Sequence, residues 1–355
     1  MNRKIRKYLK SLLCFCILLV SFQLKAEGQV DVQNIVFSHI QDAYTWHITE
    51  WGEHEISIPL PIIVKGEENG WHVFLSSRLQ DGKSYQVFSI AQTGDYTGKV
   101  IETLPSGEVV RPIDISMTKN VWGLLLSCTI LSLLILKTAQ WYKKHPSEAP
   151  GGLTGCMEMV INYIYEDVIK KNAGASYRFF SPYLLTVFFF ILINNLLGII
   201  PIFPGGANLT GNITITMVLA VCTFIAVNLF ATKGYWKDIF WPNTPIYLKC
   251  PLPIMPFVEF FGVFTKPFAL MIRLFANMMA GHAAILSLIS IIFITANMGP
   301  LINGSMGFVA VAFGIFMTAL ELLVAFIQAY VFTMLSAVFI GLSRTEEMRE
   351  EKEMK

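Results

Sequence analysis

Charged side chains are scarce in this chain. Asp, Glu, Lys and Arg make up 15% of its 355 residues, against about 25% in an ordinary soluble domain. Hydrophobic residues reach 54%, more than one soluble core could hide, whereas a bilayer solvates apolar helices from outside. Charge of one sign is not in excess either. A net charge of +2 offers no basic face for phosphate backbones, which excludes nucleic acid as a partner. Cysteine is sparse: Cys14, Cys16, Cys128, Cys156, Cys222 and Cys250, with none between residues 27 and 120. A disulfide-stapled domain is therefore excluded there, and the six thiols read as apolar filler. Between Phe179 and Thr232 there is no Asp, Glu, Lys, Arg or His at all, which excludes a water-facing surface helix over that stretch.

What is present divides the chain into four parts: 1–26, 27–120, 121–345 and 346–355. Arg3, Lys4, Arg6, Lys7 and Lys10 precede a short apolar stretch, Leu12 to Phe22, and Leu24-Lys25-Ala26 resembles a cleavage region. Residues 1–26 thus read as a secretory signal, with an uncleaved anchor as the alternative. Residues 27–120 are polar and punctuated by glycine, with alternation in Trp71–Leu75 and Tyr85–Ile90. Short strands and turns are expected, with Val32–Trp46 as a possible helix. His39, His47 and His54 read as surface or packing histidines, so no metal is assigned. This small domain is expected to be periplasmic, of α/β or mostly β type.

Val121–Leu136 is an apolar run followed by Lys137, Lys143 and Lys144. The lysines place its end in the cytoplasm by the positive-inside rule. In Gly151–Lys171, Met157, Val160, Ile161, Ile164 and Val168 recur at near-helical spacing, as in a helix lying on the membrane surface. Pro182–Ile200 and Ile213–Ala231 read as two spans, divided by Pro201 to Gly206 and a segment on the outer side. Phe257–Ala296 and Phe308–Ile340 read as two more, with a gap around Gly299–Gly307 that holds Pro300, Asn303 and Gly304. The pattern predicts an all-α polytopic membrane protein with five spanning helices. The last two exceed the roughly 20 residues of an upright span and are expected to be long and tilted. The charged tail is expected in the cytoplasm.

Those last two runs carry the chemistry. An ionisable group inside a membrane is costly and points to function. Arg273 is nine residues from His282 and fourteen from Glu259, or about 13.5 Å and 21 Å along a helix. Its guanidinium stays protonated: it suits attraction of a carboxylate, not carriage of a proton. At 100° per residue, Glu259, Lys266, Arg273 and Asn277 form one stripe, while His282 lies about 180° from Arg273. His282 must therefore meet something else. Glu321 is the remaining carboxylate in the apolar runs, and Gln328, seven residues on, falls near the same face. His282 and Glu321 would line an outer polar route and Glu259 an inner one; Lys266 divides between function and snorkelling. Asn194 and Asn195 read as ordinary bundle hydrogen bonders.

The segment Leu270-Met271-Ile272-Arg273-Leu274-Phe275-Ala276-Asn277-Met278-Met279-Ala280-Gly281-His282 resembles subunit a of the F-type ATP synthase membrane sector. Asn195-Leu196-Leu197-Gly198-Ile199-Ile200-Pro201, Glu259, Lys266-Pro267 and Glu321 to Gln328 support the resemblance, over roughly residues 120–345. It implies a non-catalytic, proton-translocating stator in a bacterial inner membrane, with no cofactor. The implied partners are a ring of c subunits, b subunits of the peripheral stalk and, indirectly, the F1 sector, besides lipid and protons. It also implies that Arg273 faces ring carboxylates and that two offset half-channels serve the ring. Well-studied bacterial relatives carry Glu on the first long helix and His on the last; here His282 and Glu321 reverse that order, as in the mitochondrial arrangement. The domain at 27–120 is a second departure. The alternative is an independent proton-coupled secondary transporter, against which no internal repeat is visible. A membrane metalloenzyme would need a ligand cluster that the apolar runs do not show.

Overall fold

The computed structural model describes residues 42–51, 54–67, 70–92, 94, 96–105, 107–200, 206–241 and 254–344. The expected signal, the start of the expected helix at 32 and the tail from 345 lie outside the described residues, as does most of the 201–206 break.

The N-terminal region is built of short strands. Strands β1 (Thr45–Trp51) and β2 (His54–Pro59) form an antiparallel ribbon. Strand β3 (Pro61–Gly66) lies between β4 (Gly70–Leu75) and β8 (Ile113–Asp114), and β5 (Phe88–Ile90), β6 (Val100–Thr103) and β7 (Val109–Val110) make a third sheet. Alternation decides the faces: Ile62 and Val64 of β3 point inward to Phe74, Leu79, Phe88 and Val100, as period-2 geometry requires. The expected helix over 32–46 is corrected at its end, because Thr45 and Trp46 begin β1. β-Branched and aromatic residues suit a half-buried pleated surface, and the pairing Thr45↔Pro59 fixes them there. The Tyr44 hydroxyl donates to the Asp114 carboxylate. Burial first, then that carboxylate, pushes the Tyr44 pKa up, so the phenol stays protonated and the bond holds at ordinary pH.

This region runs into the first helix without a free linker. Ile115 and Met117 donate backbone hydrogen bonds to the carbonyls of Ile63 and Pro61. Helix α1 (Lys119–Lys144) then starts, its first free N–H groups taken by the Ala43 carbonyl at 2.9 Å and the Asp42 carboxylate at 3.1 Å. Those are the donors a helix start leaves unpaired. Gly123, Ser127, Leu131 and Thr138 form the buried stripe of α1. Ser127 and Thr138 donate back to the carbonyls of Leu124 and Leu134, so neither of these two hydroxyls is stranded. A Cβ on Gly123 would stand 2.7 Å from the Ala207 methyl, which is why the chain can approach here.

Helix α2 (Gly152–Asn162) continues through a π-helical stretch, Tyr163–Ile169, and a last turn, Lys170–Asn172. The wide π turns bring Ile164, Val168 and Ile169 together on the buried side. Glu166–Lys170 and Asp167–Lys171 ion pairs, each 2.5 Å, stay exposed. Helix α3 (Tyr177–Ile199) is apolar on all sides and central, with Leu184, Phe188 and Ile191 fully buried. Helix α4 (Ile213–Leu229) begins at Asn212, whose side chain caps the Thr214 N–H. It turns by 101° into α5 (Lys233–Phe240). Thr232 at the bend bonds the Ser343 carbonyl through its N–H at 3.0 Å and its hydroxyl at 3.1 Å.

The last two helices are α6 (Ile254–Ile294) and α7 (Pro300–Ser343). Their 41 and 44 residues give lengths of about 62 Å and 66 Å, twice a hydrocarbon core of about 30 Å. The expected gap around 299–307 is corrected. A short 3₁₀ turn, Thr295–Met298, and Gly299 at φ 97° make the break, and α7 is helical from Pro300. Proline suits a first helical position because the N–H it lacks would be unpaired there. The Thr295 hydroxyl donates to Asn303 at 3.0 Å across the turn. Residues 283–317 form part of a compact unit apart from the other described residues. Four described helices, α1, α3, α6 and α7, are long and apolar enough to cross a membrane; α4 with α5 makes a fifth if the bent pair is one span.

Gly341 of α7 tests this packing. A Cβ there would lie 2.1 Å from the Asn172 carbonyl oxygen, whereas one on Gly262 meets nothing within 4 Å. Gly341→Ala should lower the melting temperature of the solubilised chain, with a cost of about 1–3 kcal/mol for overpacking. Gly262→Ala should not. Equal melting of the two variants would contradict the contact.

Candidate functional site

Helix α6 has two unlike sides. Leu270, Leu274 and Met278, at i, i+4 and i+8, are buried against the bundle. Their spacing turns Arg273 and Asn277 to the exposed side, beside exposed Phe264, Phe268 and Ile272. Arg273 makes no hydrogen bond or ion pair among the described residues. A permanent cation thus stands on a largely apolar open face, with its donors unused among the described residues.

The expected stripe of Glu259, Lys266, Arg273 and Asn277 is not uniform. Glu259 and Lys266 are half-buried. The Lys266 ammonium sits 5.7 Å from the Phe339 ring centre on α7, a cation–π distance. Glu259 is near enough to interact electrostatically with Tyr235 of α5. A heptad drifts about 20° on a straight helix, and α7 lies beside the first half of the stripe.

On the other side of α6, His282 meets α7. Its Nδ1 lies 2.5 Å from Glu321 Oε1, and Glu321 is 5% exposed. Gly281 makes the approach possible, because a Cβ there would be 3.0 Å from Oε1 and 3.4 Å from the carboxyl carbon. Gln328 is also buried on the inward face of α7, while Leu322, Leu323, Phe326 and Ile327 point outward. Glu321 and Gln328 of α7 therefore face in, while Arg273 and His282 of α6 divide between its two sides. A carboxylate and an imidazole in hydrogen-bond contact can share one proton in two ways, as imidazolium–carboxylate or as imidazole–carboxylic acid.

Other polar groups pair across the bundle, Asn195 among them as expected, while the hydroxyl partners were not read from the sequence. Asn195 is fully buried and joins three segments: its Nδ2 donates to the Ala325 carbonyl of α7 at 3.2 Å, and Thr210 donates to its Oδ1 at 2.7 Å. The segment Ala207–Thr210 is itself buried. Tyr183, Thr223 and Ser336 form a hydroxyl chain across α3, α4 and α7, with steps of 3.1 Å and 3.4 Å. Asparagine and hydroxyl residues at helical spacing mark polar faces in the sequence, but not which faces meet. His145, the second histidine of the 121–345 region, lies just past the end of α1. Among the described residues no group of three His, Cys, Asp or Glu could hold a metal ion.

The profile of the ATP synthase A chain family matches residues 121–341, which include the cation, the buried pair and Gln328. The chain belongs to that family. Among its relatives, ATP synthase subunit a of Pelodictyon phaeoclathratiforme is 42% identical over 294 residues, covering 81% of this chain and 80% of the relative. The subunit a of Chloroherpeton thalassium is 42% identical over 252 residues, covering 69% and 71%. That of Chlorobium phaeobacteroides strain BS1 is 45% identical over 248 residues, covering 68% and 70%. Residues 35–117 match a second profile, described as a domain of unknown function (DUF8433). The ATP synthase A chain match begins within α1, so the strand-built region falls outside it.

The His282–Glu321 contact should be energetically coupled. Either His282→Ala or Glu321→Ala leaves a buried partner stranded. Exchanging the two residues, His282→Glu with Glu321→His, restores one imidazole and one carboxylate. The exchanged chain should melt higher than the summed single exchanges predict, by a coupling of about 0.5–3 kcal/mol. Additive losses in a double-mutant cycle on the solubilised protein would show that the contact carries no energy.

Proposed function

We propose that this chain is the proton-translocating, non-catalytic subunit a of an F-type ATP synthase, the stator against which a ring of c subunits turns. Family membership supports the membrane-sector role. The observation that carries the mechanism is the division of α6: an exposed, unpartnered Arg273 on one side and the buried His282–Glu321 pair on the other.

In this reading the open face of α6 receives the ring. A ring carboxylate facing Arg273 is held ionised, because the guanidinium attracts the anion and cannot itself lose a proton. Asn277, one turn on, offers a second polar contact. Protons arriving from outside reach His282 and Glu321, with Gln328 further along the same helix, and pass to a ring carboxylate that has left Arg273. Neutralised, that carboxylate can enter lipid. After nearly a full turn it releases its proton towards the inner side, where Glu259 and Lys266 lie about 21 Å and 10.5 Å along α6 from Arg273. Arg273 bars the direct path. Each charge crossing 100 mV supplies about 2.3 kcal/mol. ATP chemistry belongs to the F1 sector, reached through the ring and the b subunits of the peripheral stalk.

The same reading sets the topology in a bacterial inner membrane. Residues 1–26 are a signal, 27–120 a periplasmic domain, 121–345 the membrane domain and 346–355 a cytoplasmic tail. In a cysteine-free background, Glu108→Cys should react with an impermeant thiol reagent added to spheroplasts, and Lys144→Cys only after lysis. The opposite pattern would invert the arrangement.

Arg273 gives the sharper test. Arg273→Ala should abolish ATP-driven proton pumping in membrane vesicles while the complex still assembles, and passive proton leak should rise. Arg273→Lys should fail too, since a Lys covered by the ring can deprotonate and lacks the planar fork. Normal pumping by an assembled Arg273→Ala complex would overturn the mechanism. Proton transport by the purified chain without a ring would point instead to an independent transporter.

A further inference from the structure

Gly198 occupies the last turn of α3 and is buried. A glycine inside a helix costs about 1 kcal/mol relative to alanine, so its presence asks for a reason. Backbone conformation is not the reason, since its φ is not positive. Close packing is not the reason either. A Cβ on Gly198 would meet His282 Nε2 at 3.6 Å, and the Ala207 carbonyl oxygen and His282 Cε1 at 3.8 Å, all ordinary contacts. Gly123, Gly281 and Gly341 differ, because a Cβ there would fall at 2.7 Å, 3.0 Å and 2.1 Å from its nearest neighbour.

What remains is the space and its chemistry. On one side stands His282 Nε2, buried and without a hydrogen-bonding partner in the protein. On the other stands the Ala207 carbonyl, which accepts one hydrogen bond, from the Leu209 N–H at 3.0 Å, and keeps a second lone pair. Asn194, one turn before Gly198 on α3, keeps a buried Oδ1 without a protein partner, and Asn208, next to Ala207, a buried Nδ2. A buried water needs two to four polar partners.

We propose that Gly198 keeps open a station for a water molecule that hands protons to His282 Nε2, with the Ala207 carbonyl as its second anchor. The inference rests on the proton-translocating reading above. The step balances without any redox change. A hydronium at the station, held by the Ala207 oxygen, gives a proton to the Nε2 lone pair and becomes water. The imidazolium formed then gives its Nδ1 proton to Glu321, leaving neutral imidazole protonated on Nε2 beside a carboxylic acid. Gly198 is a positioning residue: it touches no ring carboxylate and acts by leaving room.

The test uses the intact ATP synthase complex in inverted membrane vesicles with Gly198→Ala and Gly198→Ser. Passive proton conductance is read after removal of the F1 sector, and assembly is read separately by the amount of complex in the membrane. Gly198→Ala should assemble at the unaltered level, because the methyl fits, yet conduct about tenfold more slowly, the scale of one lost hydrogen bond. Gly198→Ser places a hydroxyl where the water would stand and should recover most of that loss. Unaltered conductance in Gly198→Ala overturns the proposal. So does failure of Gly198→Ala to assemble, which would make the glycine a packing requirement, and so does a Gly198→Ser complex as slow as Gly198→Ala. If the unaltered sector conducts no protons, the proton-translocating reading fails instead.

Discussion

A carboxyl group taken out of water must find a partner or lose its charge, and Glu321 sets that condition for the membrane region. The desolvation penalty for a buried ion is several kcal/mol even after relaxation. The answer here is local and exact in its demands on shape. The contact requires room beside Glu321, where a Cβ at position 281 would stand 3.0 Å from Oε1 and make the carboxylate shift. It also requires α6 to present Leu270, Leu274 and Met278 to the bundle, since that choice rotates His282 towards α7. The exposure of Arg273 then follows, because a helix that turns one polar group inward turns the group 180° away outward.

Close approach recurs wherever the bundle is stitched together. The Ala207–Thr210 segment is buried beneath α1 because Gly123 has no side chain, and it is held there by Thr210 on Asn195. Asn195 in turn reaches the α7 backbone at Ala325, one turn from Glu321. In an apolar medium helices gain no hydrophobic force from meeting each other, so small residues and buried amides carry the association. The groups that assemble the bundle and those that surround the buried pair are therefore the same few residues. At the other end of α1, Asp42, Ala43 and the β3–Met117 pairing tie the strand-built region to the first helical turn, leaving no slack chain between them.

Local periodicity made much of this legible. The angle between Arg273 and His282 follows from helix geometry alone, and the pairing with Glu321 from its being the remaining carboxylate of the apolar runs. The break between the last helices was misjudged because polar Asn303 and Gly304 resembled a loop, whereas Pro300 at the first position and Gly299 at positive φ confine the turn to a few residues. Thr45 and Trp46 went to a strand because their partners, Pro59 and Ile58, lie fourteen and twelve residues away. Asn195 reads as a bundle hydrogen bonder and is one, but which segments it joins depends on residues 210 and 325. Gly198 and Gly281 carry no signal of their own. What a glycine does is set by what comes near it, and that belongs to the tertiary structure.

The separation of Arg273 from His282 has an electrostatic logic within the proposed mechanism. A guanidinium 4 Å from Glu321 would favour its ionised form by about 4 kcal/mol at an effective dielectric of 20. Held that firmly, the carboxylate could not take up a proton and pass it on. His282, which holds Glu321, lies about 13.5 Å from Arg273 along the axis, and at such a separation the same interaction would be about 1.2 kcal/mol. Glu321 is then governed by its own neighbours, the His282 ring and the apolar walls, while Arg273 keeps its full effect for whatever carboxylate comes to the open face. In the proposed mechanism one helix can thus carry both a permanent cation and one half of a proton-exchanging pair, provided that the two stand on opposite faces and more than two turns apart.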